Sequence, residues 1–414
     1  MPYLDLTAAR TRLAAAELDA LLILSPRHFY YATGHNSWFM NLYGEAGYGA
    51  ALIPADEGMM PAGLVSDVEA PALAESAPEL EAHGYPVWIA YGDVPPVAAE
   101  DVFAPLAAYS ADQPRQRDGQ IDPKRVVLQI VDLIKSRHLA RGRIGIEISF
   151  VSRPVMTWLR SLLPDVTWRD ATRLLEELRA VKSPREADLL RRGTQLAESA
   201  IESVTAALRS GMTAGEIAHR YRLAVFEHAA GRGDVLSARV TLRVGPHVLS
   251  PVSSGSYALQ AGDLVFLDCG VEVSGYWADM GRCVVFGRAT AAQRAAQKQI
   301  YAALRAGFDA ATALMQVGTP LADVFRAGLD AVHAAGMTSY VRGNLGHGIG
   351  LARAPELPIV SAEETLALAR GHVVSVEFPY YVHGIGAFQI EDTFYMGPNG
   401  TEVFNRLSRD LVEI

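Results

Sequence analysis

The stretch Leu264-Val265-Phe266-Leu267-Asp268-Cys269-Gly270-Val271, followed by Ser274-Gly275 and then Ala278-Asp279-Met280-Gly281-Arg282, decides the fold. A short apolar run bounded by Gly and Asp reads as a strand, and the Ser-Gly pair reads as the turn of a hairpin. Such a hairpin carries Asp268 and Asp279, 11 residues apart, to one location. An ionised carboxylate inside an apolar layer must be paired, protonated or bound to metal, because burying it alone is prohibitive.

Two later runs repeat the anomaly. Glu377 interrupts Val373-Val374-Ser375-Val376-Phe378, and Glu391 lies between Phe388-Gln389-Ile390 and Thr393-Phe394-Tyr395. Strand alternation puts Ser375 and Glu377 on one face, with Val374, Val376 and Phe378 on the other; Gln389, Glu391 and Thr393 likewise share a polar face. His347, in Gly346-His347-Gly348-Ile349-Gly350, adds an imidazole from a loop that approaches closely. Four carboxylates and one imidazole thus ask for something positive.

Around these strands the text has a helical period. Ser183-Pro184-Arg185-Glu186 places an oxygen acceptor at an N-cap, proline at the first helical position and glutamate at the third. The same kind of start recurs at Thr213 to Glu216, Thr290 to Gln293 and Thr319 to Leu321. Residues 183–414 therefore read as helices on a mostly antiparallel sheet, an α+β arrangement with one sheet face covered and the other able to carry a site. Residues 1–175 alternate strands (Ala20 to Leu24, Tyr48 to Pro54, Arg143 to Ile148) with helical patterns, as in a smaller α/β domain.

Composition bounds the rest. The 414 residues amount to two or three domains at about 150 residues each, half apolar and a fifth charged. With 37 Lys plus Arg against 46 Asp plus Glu, the net charge of -9 offers no basic face for nucleic acid. Two cysteines, Cys269 and Cys283, form neither a disulfide framework nor a thiolate cluster, which fits a reducing compartment. The start of the chain has no export signature and no stretch has the length of a membrane span, so the expected location is cytoplasmic, with no membrane partner.

In order and in local text, Asp268, Asp279, His347, Glu377 and Glu391 resemble the five-ligand pattern of the creatinase, prolidase, aminopeptidase P and methionine aminopeptidase superfamily. The likeness is close over 183–414 and looser before. The resemblance implies a C-terminal pita-bread domain behind a smaller creatinase-like N-terminal domain, usually a homodimer, with two divalent metal ions per chain held by those five side chains; four carboxylates balance two such ions in charge, and their oxygen-rich donors suit Mn, Fe or Co and tolerate Zn. In such a site a water bridging the ions attacks a carbonyl or amidine carbon as hydroxide near neutral pH, and Glu377 is the candidate proton shuttle.

The sequence also departs from that family. Aligning the Pro251-Val252 step places Leu249 at an expected histidine, and His247, two residues off and hence on the same strand face, is the candidate substitute. Gly343 and Ala354 stand where further histidines are expected, and Gln389 stands where an arginine is common. Loss of imidazoles that stabilise an oxyanion and protonate a proline nitrogen removes terms worth about a hundredfold each from Xaa-Pro cleavage. The metal core is intact while the dipeptide pocket is not, which points to a small polar metabolite, a non-peptide amide or amidine, beside the default Xaa-Pro dipeptide. His35, Trp38 and Arg342 are the candidate substrate contacts; packing or solvation is the competing role for each. The rivals are a lyase on the same metal core acting on a small carboxylate such as a sulfonium propionate, and a non-catalytic binding module. In the metal-free alternative, arginines such as Arg282 and Arg342 neutralise the acids.

Overall fold

The computed structural model describes residues 1–89, 102–110, 117–246, 248 and 257–414. The chain divides into two compact units, Met1–Leu178 and Arg179–Ile414.

In the first unit six strands form one sheet: Ala20–Ile23 (β1), Ala50–Pro54 (β2), Ala62–Ser66 (β3), Glu81–Tyr85 (β4), Arg143–Ile146 (β5) and Thr167–Asp170 (β6), in the order β4-β3-β2-β1-β5-β6. β1, β2 and β3 run antiparallel as a meander, while β5 and β6 continue the sheet in parallel from β1. The amphipathic helix Pro123–Ser136 buries Val126, Val127, Ile130, Val131 and Ile134 against it, the i, i+4 spacing of a helix that covers a sheet.

The second unit holds the rest of the named strands: Val235–Val244 (β7), Leu264–Val273 (β8), Tyr276–Trp277 (β9), Met280–Val285 (β10), Gly346–Gly348 (β11), Glu356–Ile359 (β12), Val373–Glu377 (β13), Tyr380–Val382 (β14), Gly386–Phe388 (β15), Ile390–Gly397 (β16), Gly400–Val403 (β17) and Val412–Glu413 (β18). The main sheet runs β12-β11-β13-β16-β10-β8-β7, antiparallel at each of these steps. Within this unit only the edge pairing of β10 with β18 is parallel among the described strands. Helices Ala291–Thr312 and Leu321–Ala334 pack on one face, where Val374, Val376, Phe378, Ile390 and Phe394 join Leu304, Phe308 and Val324 in a dry core. The helix Pro184–Ala206 packs against β8, and Ala214–His228 packs against β7. This is the pita-bread architecture, a curved sheet with helices on its outside.

Local chemistry explains the starts and turns. Ser183, Thr213 and Thr290 each accept from the backbone N–H three residues on while Glu186, Glu216 or Gln293 reaches back, three complete capping boxes. The start expected at Thr319 falls one residue later: Pro320 occupies the N-cap and makes no side-chain cap. Between β8 and β9 the two-residue turn Ser274-Gly275 has φ of 48° and 82°, the positive pair that matches the twist of a tight hairpin. The run expected as one strand from Phe388 to Met396 is broken at Gln389, with Phe388 ending β15 and Ile390 opening β16.

Candidate metal centre

Register carries the acids together. Glu377 pairs with Glu391 across β13 and β16, Glu391 with Gly281 of β10, Gly281 with Asp268 of β8, and Asp268 with Thr241 of β7. Directly opposed residues of antiparallel strands point to the same face, so one row across five strands presents Glu377, Glu391, Asp268 and Thr241 to the side away from the helical core. Gly281 leaves a gap in the row, and a Cβ there would lie 2.2 Å from Cγ of Gln389. His347 reaches the same face opposite Ser375. Asp279, just ahead of β10, is fixed through its carbonyl, which accepts from Thr393 Oγ1 at 2.8 Å.

Of the five residues singled out in the sequence, Asp279, His347 and Glu391 each offer one donor atom with all three atoms within 4.8 Å of one another. His347 Nδ1 faces the Gly348 carbonyl at 3.1 Å. A ring nitrogen against a carbonyl must carry the proton, which leaves the Nε2 lone pair, 3.9 Å from Asp279 Oδ2, to ligate. Glu391 is buried, and its two oxygens accept from Ser375 Oγ at 2.8 Å and Gln389 Nε2 at 3.0 Å, both neutral donors. Burial first, and then Asp279, Glu377 and Asp268, push its carboxyl well above the carboxylate range. Burial also pushes Asp279 up to about 7 against the pull of Arg239. Carboxylates raised in this way take up protons unless a cation replaces them.

The other two acids are held differently. Asp268 Oδ1 accepts from Arg239 Nη1 at 2.9 Å, and Arg239 Nη2 lies 2.5 Å from Asp279 Oδ1 as a close ion contact. Glu377 Oε1 accepts from Arg342 Nη2 at 2.8 Å, and Arg342 is braced by the Asn344 carbonyl at 3.2 Å. The described side chains therefore fit one divalent ion among Asp279, His347 and Glu391, with Asp268 and Glu377 beside it on arginine partners. Arg282, a second neutralising arginine in the metal-free alternative, instead pairs with Asp392 on the opposite face at 2.6 Å.

Arg239 was not singled out in the sequence, and neither was Arg243. Both lie on β7, two residues to either side of Thr241, on the face that Thr241 shares with Asp268. Arg243 stacks over Tyr381 at 4.7 Å and Phe266 at 5.9 Å, while its Nε and Nη1 are buried without a hydrogen-bond partner among the described residues. Burial pushes the Tyr381 phenol up, against the pull of Arg243 and Arg342 and with the push of Glu377 and Asp268. Alternation of Val240, Leu242 and Val244 with Arg239, Thr241 and Arg243 was the available signal.

The remaining candidates lie elsewhere. His247 is outside the described residues. His35 belongs to the first unit, where its Nε2 stands 3.5 Å from Glu69 Oε1. Trp38 is 54% exposed, and its backbone N–H donates to the same glutamate at 2.6 Å. Glu69 thus holds the loop that carries both.

The model of metallopeptidase family M24 matches residues 188–398, and the chain belongs to that family. It is a metal-dependent, peptidase-type hydrolase of the creatinase, prolidase and aminopeptidase P superfamily. A Bacillus subtilis protein named "Putative dipeptidase YkvY" is 26% identical over 282 residues, covering 67% of this chain and 75% of that one. Among solved structures, the dipeptidase PepE from Mycobacterium ulcerans aligns with a TM-score of 0.74 at 25% identity, covering 99% of this chain and 96% of that one. A dipeptidase from Pyrococcus horikoshii aligns with a TM-score of 0.77 at 19% identity and 99% coverage of both. Among the described residues no helix is long and apolar enough to cross a membrane.

Proposed function

We propose that the chain hydrolyses a C–N bond in a small substrate that carries an anionic group, an amide or amidine rather than an Xaa-Pro dipeptide, at a divalent metal held by Asp279, His347 and Glu391. The observation that carries this reading is the convergence of those three donor atoms within 4.8 Å on the open face of the sheet. A divalent ion bound there supplies Lewis-acid polarisation of the scissile group and makes water more acidic.

The chain's own residues supply the rest. The Gly348 carbonyl fixes the His347 tautomer, and Ser375 with Gln389 orients Glu391 without cancelling its charge. Arg342 holds Glu377 through Oε1, leaving Oε2 to take a proton from the attacking water and return it to the departing nitrogen. Arg243, whose Nε and Nη1 are buried and without a hydrogen-bond partner among the described residues, is the group to receive a carboxylate on the substrate. Gly343, where a histidine would be expected for a dipeptide substrate, has open space in place of a side chain.

A screen of Xaa-Pro dipeptides beside creatine-like, ectoine-like and sulfonium carboxylates tests the substrate class. Turnover of a non-peptide amide or amidine with release of the amine is expected. Efficient dipeptide cleavage, or an alkene product without water incorporation, overturns it. Glu377→Gln should lower turnover at least about a hundredfold while metal stays bound; a variant that keeps most of its rate removes Glu377 from proton transfer.

A further inference from the structure

Related sites of this acid count are expected to hold two ions, and the side chains here are arranged for one. We infer that Arg239 occupies the place of a second cation, so that the chain binds a single divalent ion per site; this rests on the metal reading given above. The guanidinium spans the gap between Asp268 and Asp279, with Nη1 2.9 Å from Asp268 Oδ1 and Nη2 2.5 Å from Asp279 Oδ1. An ion shared by those two aspartates would have to stand where the guanidinium stands.

The position is built into the sheet. Arg239 of β7 faces Gly270 of β8 in register. A Cβ on Gly270 would lie 2.8 Å from Arg239 Nε and 3.1 Å from its Cγ, so glycine there opens the slot through which the arginine lies across β8 toward Asp268. Any side chain at Gly270 would close it. The arginine is thus directed into the site by the register of two neighbouring strands and by a missing side chain.

Charge leads to the same number. Asp268, Asp279, Glu377 and Glu391 bring four negative charges, and Arg239 and Arg342 return two through direct contacts. One divalent ion closes the balance with His347 neutral. A second ion would leave a largely buried site with two uncompensated positive charges, and Arg243 on the same face, whose Nε and Nη1 have no hydrogen-bond partner among the described residues, would make the excess three. With one ion, Arg243 is the single charge left over, which is the electrostatic reason for an anionic substrate.

The test is metal stoichiometry. Protein saturated with Mn2+, freed of unbound ion and assayed by elemental analysis should hold one ion per chain and give the electron paramagnetic resonance of an isolated Mn2+. Arg239→Gln should hold two, with the spectrum of an exchange-coupled pair. Should that variant not fold, Asp268→Asn serves: it removes one of the arginine's two carboxylate partners and not a ligand, so it should still hold one ion, more weakly by the one charge lost from the balance. Two ions in the wild type, one ion in folded Arg239→Gln, or loss of metal from Asp268→Asn each overturn the inference. Two ions with full turnover would overturn it and leave the hydrolase reading standing, whereas no bound ion in the wild type would overturn both.

Discussion

Glu391 and Asp392 are consecutive residues of β16, and at 2% and 1% exposure they are equally buried. Their surroundings differ completely. Asp392 faces the helix side, where Arg282 Nη2 meets one oxygen at 2.6 Å and Arg409 Nε meets the other at 2.5 Å; Arg282 also donates to the backbone carbonyls of Glu391, Leu407 and Ser408. Glu391 faces the open side, accepts only from a hydroxyl and an amide, and stands among other acids. One step along a strand thus separates a carboxylate neutralised by the fold from one left in need of a cation. The first ties the C-terminal segment to the sheet; the second has the chemistry of a ligand.

The largest effects should come from the open side. Asp279→Asn and Glu391→Gln should each weaken metal binding by more than about a hundredfold, since even outer partners of metal ligands are worth ten- to a hundredfold. Turnover should be lost with the metal, while the melting temperature of metal-free protein holds or rises because a crowded charge is gone. A folded Glu391→Gln that keeps metal and rate would erase the contrast with its neighbour.

Asp392→Asn should behave in the opposite way. It leaves Arg282 and Arg409 without their carboxylate, a break that costs about 3–5 kcal/mol in a buried pair, read as a lower denaturation midpoint. Metal content and turnover per folded molecule should be unchanged. Loss of metal in this variant would mean that the two faces are not independent.

A third kind of buried group sharpens the picture. His372 escapes its charge instead of pairing it: burial, with Lys182 adding to the effect, lowers its pKa from 6.5 to about 4. The folded imidazole is neutral and its Nδ1 accepts from the Ala369 N–H at 3.2 Å. The unfolded state takes up the proton first, so this contribution is full above pH 6.5 and drains away as pH falls toward 4, by about 3 kcal/mol in all. Replacing His372 with glutamine should flatten the stability profile across that window; an unchanged acid slope would assign the loss to other groups.

The sequence exposed the part of this plan that burial makes anomalous. Acids inside apolar strands are conspicuous, so Asp268, Glu377 and Glu391 stood out, and Asp279 followed from the Ser274-Gly275 turn. Capping boxes are written in adjacent residues, so three of four helix starts could be read directly, while Pro320 displaced the fourth because its fixed φ suits the cap that Thr319 would have made. Arg239 and Arg243 stayed hidden because an arginine on a half-polar strand has the pattern of an exposed edge. Only the register of β7 against β8 turns that face inward, and register is a long-range property. The pairing of Arg342 with Glu377 rather than solvent was hidden for the same reason: it joins residues 35 positions apart.

Anomalous diffraction from crystals loaded with Zn2+ or Mn2+ tests the central claim directly. The account predicts one strong peak about 2.0–2.2 Å from oxygens of Asp279 and Glu391 and from His347 Nε2, with Arg239 still against Asp268. A peak at Asp392, a pair of peaks with Arg239 swung away, or no peak beside Glu391 at saturating metal would contradict it.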